Sequence, residues 1–303
     1  MKVLITGGSG LLGLNWAIHG LSRHEVAVAT HGIEVRLDGA HSFQALEYTL
    51  DILKMERWGF TPDVVIHTAG YTNVDQCERN PEIALKINRD LAGIVATYSN
   101  LVGAKMVHIS TDHLFDGGNP FVSEAATPNP VNAYGRTKVM AEKIVLKSCR
   151  NSLIIRTNFF GWGHRYRDSI TDWILTALRS ENPINLFSDV FFTPIYVDDL
   201  IDSVESLIDI DATGIYNVVS GERLSKYEFA NAVADKFELS KKYIVKSSST
   251  KVDFHTKRPL DMSLCNEKIT KVLGRNMPSA IHGLSRMKGS EARREILDAA
   301  LID

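Results

Sequence analysis

The chain begins Met1-Lys-Val-Leu-Ile-Thr-Gly-Gly-Ser-Gly-Leu-Leu-Gly13, and this stretch decides the fold. An apolar run, Val3 to Ile5, passes straight into glycines at 7, 10 and 13, after which Leu14, Trp16, Ala17 and Ile18 follow a helical pattern. The order is strand, tight turn, helix. A helix starting there offers open backbone N–H groups and the positive end of its dipole to a phosphate. Side chains in the turn would hold both the phosphate and the helix away from the strand. Two registers fit. Gly8, Gly10 and Gly13 give G-x-G-x-x-G, while Thr6, Gly7, Gly10 and Gly13 give T-G-x-x-G-x-x-G. In this strand–helix context either predicts a dinucleotide pyrophosphate.

Working outward, strand patterns fall at residues 3–5, 25–29, 64–68, 105–110 and 152–156, with helical patterns at 13–22, 43–58, 81–101 and 133–147 between them. Several strands are continuous apolar runs, as expected when both faces of a sheet are covered. The alternation predicts an α/β Rossmann fold, a doubly wound parallel sheet with a smaller C-terminal substrate-binding lobe. Residues 1–157 read as the dinucleotide-binding domain, with 195–215 packing back onto it. Residues 158–194 and 216–303, where aromatics, Gly and Pro cluster, read as the lobe.

The bulk properties narrow the function. The 303 residues carry a net charge of −2, which gives no basic footprint for nucleic acid. No apolar run approaches the ~20 residues of a membrane span, and the N-terminus reads as a strand rather than a signal peptide. Cys77, Cys149 and Cys265 are widely spaced and odd in number, which suits reduced thiols in the cytoplasm. The ten histidines form no metal-ligand spacing on a helix, so no metal is expected.

Chemistry enters with Tyr134-Gly-Arg-Thr-Lys138. Four residues apart, the phenol and the ammonium share one helix face. An ammonium favours the phenolate, so such a pair can pass a proton to or from a carbonyl oxygen as hydride moves. Ser110-Thr111-Asp112 ends the fourth predicted strand, at the edge where such sheets bind ligands. A hydroxyl there can bond the same oxygen; a strand-end cap is the plainer role, and suits Asp112.

These motifs together resemble the extended short-chain dehydrogenase/reductases, and within them the dTDP-4-dehydrorhamnose reductases. The resemblance runs through His67-Thr-Ala-Gly-Tyr-Thr-Asn-Val-Asp-Gln-Cys-Glu78, Asn88, Ser110-Thr-Asp-His-Leu-Phe-Asp-Gly117, Ile155-Arg-Thr157 and Arg258-Pro-Leu-Asp-Met-Ser-Leu264. It implies a catalytic set of Thr111, Tyr134 and Lys138, with Tyr134, Lys138 and Ser110 also touching cofactor. It implies a cofactor channel along Gly7, Ser9, Gly10, Leu11, Leu12 and Gly13, and along Thr68, Ala69, Gly70, Tyr71 and Asn88. Substrate contacts are expected from Thr72, Val74, Asp112, His113, Trp162 and Arg258. Arg258 is the first candidate for a nucleotide-sugar diphosphate, with Arg165 and Arg167 as others.

The chain departs from the pattern at His113, where the family has tyrosine; His113 reads either as an added acid–base group or as a loop residue filling that space. Phe192-Thr-Pro-Ile-Tyr-Val-Asp-Asp199 is closer to the epimerases. Cofactor choice turns on Ala29-Thr30-His31-Gly32, which lacks the carboxylate expected for NAD(H). His31 and Arg36 suit a 2′-phosphate, so NADP(H) is favoured, and Leu37 and Asp38 read as adenine contacts. The expected activity is NAD(P)H-dependent reduction of a nucleotide-linked 4-keto-6-deoxysugar, in deoxysugar and cell-surface polysaccharide synthesis, by a chain compatible with a homodimer. Two alternatives stay open: a nucleotide-sugar 4-epimerase with tightly held NAD, and a non-catalytic regulatory subunit like the β subunit of methionine adenosyltransferase.

Overall fold

The computed structural model describes residues 1–44 and 59–302. Within them seven strands form one sheet: β1 (Lys2–Thr6), β2 (Glu25–Thr30), β3 (Ala40–Gln44), β4 (Val64–His67), β5 (Lys105–Ile109), β6 (Ser152–Arg156) and β7 (Gly214–Asn217). All pairings are parallel, in the spatial order β3-β2-β1-β4-β5-β6-β7. The chain winds outward from β1 to β3, returns to set β4 beside β1, and winds outward the other way. That reversal opens a crevice beyond the carboxyl ends of β1 and β4.

The first eight α-helices among the described residues are α1 (Leu11–Gly20), α2 (Val74–Arg79), α3 (Pro81–Leu85), α4 (Leu91–Leu101), α5 (Ala133–Ser148), α6 (Ile170–Arg179), α7 (Val197–Asp209) and α8 (Lys226–Lys236). On one face Leu91, Val95 and Ala96 of α4 and Ala141 and Val145 of α5 pack on Leu4, Val65, Met106 and Ile154. On the other, Leu14 and Ala17 of α1 and Leu200, Ile201 and Val204 of α7 pack on Ile5, Val28 and Ile66. Burial on both faces is why these strands are runs of aliphatic residues. His19 of α1 ties this layer together: Nε2 lies 3.0 Å from Asp202 and Nδ1 3.8 Å from Asp198, both on α7. Those two carboxylates push its pKa up to about 9.

The helix expected at 43–58 is corrected at its start. Phe43 and Gln44 belong to β3, paired with Ala29 and Thr30, and the remainder of that span lies outside the described residues. The misreading has a cause: β3 is a polar edge strand, with only its Ala40 and Phe43 half covered. The helix expected at 81–101 is interrupted by a π turn at Lys86–Asp90 between α3 and α4.

From residue 158 onward the chain forms short strand pairs. Phe159–Phe160 pairs with Ile195–Tyr196, Ile184–Phe187 with Ile244–Ser247, and Phe191–Phe192 with Leu224–Ser225. Near the C-terminus, Leu301–Ile302 pairs antiparallel with Glu34–Val35, just after β2. Arg165 joins the same strap, its N–H donating to Asp298 and its guanidinium to the Leu301 carbonyl.

Candidate functional site

A cavity of about 450 Å³ fills the crevice beyond the strand ends. Its floor is the glycine turn. Gly7 sits at φ +76°, and a Cβ there would lie 2.5 Å from the Ala69 nitrogen, so the turn and the loop after β4 approach as only glycine allows. The Gly7 and Gly8 N–H groups both donate to the Ala29 carbonyl, and Gly10 donates to Gly7. The α1 N-cap, Gly10, makes no side-chain cap. The first-turn N–H groups therefore have no side-chain acceptor from the cap, and Ser9, Gly10, Leu11, Leu12 and Gly13 line the cavity beside Gly7. This cradle fits a pyrophosphate.

The opposite wall is the loop after β4, where Thr68, Ala69, Gly70, Tyr71, Thr72 and Val74 line the cavity. Asn88 in the π turn clamps it. Its Oδ1 accepts from the Tyr71 N–H at 2.7 Å, and its Nδ2 donates to the Tyr71 carbonyl at 3.1 Å and to Thr137 Oγ1 at 2.9 Å. The π turn carries the amide that the loop needs, joining it to α5.

The end of β5 separates two hydroxyls that look alike in sequence. Ser110 donates to Glu142 at 2.6 Å, and Glu142 is held by Arg156 at 2.7 and 3.0 Å. Ser110 is thus engaged by a buried ion pair. The Thr111 hydroxyl instead donates to Asp112 and lines the cavity with the Tyr134 phenol. Burial pushes the Tyr134 pKa up to about 12, with Thr111 opposing. The lowering that an adjacent ammonium suggested does not prevail. Lys138 is itself buried, which pulls its amine down to about 8 against the attraction of Glu142. Its Nζ donates to the Ile109 carbonyl at 2.7 Å and lies 3.4 Å from His108 Nε2.

Asp112 accepts from Thr111 at 3.2 Å and from Asn158 at 2.6 Å. His113 meets the Tyr134 ring edge-on, centroids 5.7 Å apart, and burial lowers its pKa despite Asp112. From the C-terminal part of the chain, Lys226 lies over the Phe192 ring, 3.2 Å from its centroid. Burial lowers its amine to about 8 while Asp112 pulls the other way.

Six expected residues lie outside this wall, among them Arg165, which is tied to Asp298 and Leu301. His31 lines the cavity, but Arg36 is exposed and 3.5 Å from Glu34. Leu37 and Asp38 stand in the turn leading to β3, where Leu37 packs against the core. Trp162 is 3 % exposed, its indole N–H donating to the Met287 carbonyl and its ring packed edge-on against Phe237. It is a core residue here, not a substrate contact. Arg258 is engaged by Asp75 at 2.8 Å. Arg167 does line the cavity. The sequence reading missed Asn158, Phe159 and Lys226, and the Glu142–Arg156 pair. No local spacing marks them, because they meet only through the fold.

The profile of the RmlD substrate binding domain matches residues 1–290. Over 239 residues, 77% of this chain and 78% of the other, the sequence is 31% identical to the spore coat polysaccharide biosynthesis protein SpsK of Bacillus subtilis. It is 28% identical over 297 residues, 92% of this chain and 85% of the other, to methionine adenosyltransferase 2 subunit beta of Bos taurus. The solved structure of dTDP-4-dehydrorhamnose reductase from Bacillus anthracis in complex with NADP superposes with a TM-score of 0.81 at 26% identity, over 95% of this chain and 98% of that one.

Proposed function

The chain belongs to the RmlD substrate binding domain family, and from that premise we propose that it reduces the 4-keto group of a nucleotide-linked 6-deoxysugar with NADPH. In this reading residues 1–157 hold the cofactor, residues 158–194 and 216–303 hold the sugar nucleotide, and the enzyme works in the cytoplasm. No helix among the described residues is long and apolar enough to cross a membrane. One observation carries the proposal: Thr111, Tyr134 and Lys138 converge on the same cavity as the glycine cradle.

When bound, the nicotinamide supplies a hydride to the ketone carbon. Tyr134, with its pKa near 12, keeps its proton through the neutral range and is a donor to the ketone oxygen. The Thr111 hydroxyl hydrogen-bonds that oxygen and fixes the phenol. Lys138, while protonated, steadies the phenolate left after transfer. Arg167 is the guanidinium we assign to the sugar nucleotide's diphosphate. NADP(H) over NAD(H) is supported by His31 in the cavity wall, by the strand end without a carboxylate, and by the NADP in the Bacillus anthracis relative.

The test is incubation with NADPH and a panel of nucleotide 4-keto-6-deoxysugars, following loss of nicotinamide absorbance. Sugar-dependent oxidation supports the proposal. The similarity to methionine adenosyltransferase 2 subunit beta favours a second reading, a regulatory subunit. Silence across the whole panel, with tight binding to a methionine adenosyltransferase catalytic chain, would establish that reading instead.

A further inference from the structure

Beneath Lys138 three adjacent strands of the sheet carry buried polar side chains side by side: Thr6, His67 and His108. Register sets Thr6 opposite His67 and His67 opposite His108. Matched positions on adjacent parallel strands project to one face, here the face covered by α4 and α5. Thr6 Oγ1 lies 2.7 Å from His67 Nδ1. The two imidazoles stack with centroids 5.3 Å and planes 22° apart, and His108 Nε2 reaches Lys138 Nζ. All four residues are buried.

The row is electrically neutral. Burial pulls His67 down to about 3 and His108 well below the ordinary imidazole range, with Lys138 adding to both. Neutral His108 with its proton on Nδ1 presents Nε2 as an acceptor. In that tautomer the Lys138 ammonium has two acceptors in the interior, the Ile109 carbonyl and this ring. Leucine or valine at 108 would leave it one, and an ammonium short of acceptors in a dry interior gives up its proton more readily. The other groups around it are Tyr134 and Glu142, one turn away on either side along α5. Glu142 is itself engaged by Arg156 and Ser110.

We propose that His108, backed by the stacked His67 and by Thr6, is a positioning residue that fixes the Lys138 amine and sets the pH at which it loses its proton. The kinetic consequence rests on the reductase reading; the titration of the amine does not.

The test is carbon NMR of the cofactor-free full chain labelled at lysine Cε, with the Lys138 signal assigned by its loss in Lys138→Met. His108→Leu is expected to lower the Lys138 midpoint by about half a unit or more, the direction that follows from removing a hydrogen bond to the charged form. His108→Gln, which returns an acceptor, is expected to restore it. Should His108→Leu fail to fold, Thr6→Val frees the His67 ring and is expected to shift the midpoint the same way by less. An unchanged midpoint in the variant that folds, or a shift that Gln does not reverse, overturns the proposal. With a substrate in hand, the alkaline limb of kcat is expected to move with the NMR midpoint. A shifted midpoint in a protein that turns over no nucleotide sugar overturns the reductase reading and leaves this one standing.

Discussion

Arg167 donates to Thr72 Oγ1 at 2.5 Å, so the segment after β6 meets the loop after β4 across the mouth of the cavity. The same guanidinium lowers the Tyr134 pKa through space. It is exposed, with an exchangeable hydroxyl as its hydrogen-bond partner, whereas Arg258 is engaged by a carboxylate. Arg167→Ala is therefore expected to raise KM for the sugar nucleotide about tenfold or more, with kcat little changed if the contact is equal in ground and transition states. Arg258→Ala should leave KM within a few-fold. Steady-state kinetics of both variants decide it, and the reverse pattern returns the diphosphate to Arg258.

Tyr134→Phe removes a hydroxyl and keeps the ring against His113. NADPH affinity should persist while turnover falls by roughly 10²-fold or more, the scale of lost general acid catalysis. Fluorescence titration of NADPH beside turnover separates the two effects. A variant that retains most of its rate shows that another group delivers the proton.

Gly135 separates the catalytic helix from the loop that follows β5. A Cβ there would stand 2.4 Å from the His113 carbonyl oxygen and 2.7 Å from the Pro130 Cβ. Gly135→Ala should cost about 1–3 kcal/mol, as overpacking does, and displace His113 from Tyr134, lowering turnover as well. Chemical denaturation with a turnover assay checks both. Parental stability and rate together would show that the loop yields freely.

His19 gives the fold a pH signature of its own. Its folded pKa is raised to about 9 from an ordinary 6.5. The stabilisation is fully present below the unfolded value and disappears as pH rises through 9. His19→Gln should be less stable than the parent by on the order of 1–2 kcal/mol below about pH 6. The two curves should meet above about pH 10. Urea denaturation across that range measures the gap, and a gap independent of pH would mean that His19 acts by packing alone.

What could be read in the sequence was what is local. The glycine turn, the hydroxyls ending β5 and the Tyr134–Lys138 spacing each occupy a few residues whose geometry the backbone period dictates. The order of those motifs then forced a parallel sheet with a crevice at its reversal. Burial was harder to see. Trp162 suits either a substrate contact or core packing by its neighbours in the chain, and only the fold shows its indole satisfied by Met287, which is 125 residues away. Ser110 and Thr111 are indistinguishable until Glu142 and Arg156 claim the first. β3 escaped because an exposed edge strand has no apolar signature.

The pairing of Leu301–Ile302 with Glu34–Val35 has a consequence for anyone wishing to exchange the cofactor. The strap braces the segment just past His31, and through Arg165 it also holds the loop that carries Arg167. Redesign confined to the end of β2 would act on a surface fastened from elsewhere. Libraries for cofactor exchange should vary residues 293–302 together with 31–36, and substrate range should be screened alongside, because a change at either end of that brace is felt at the other.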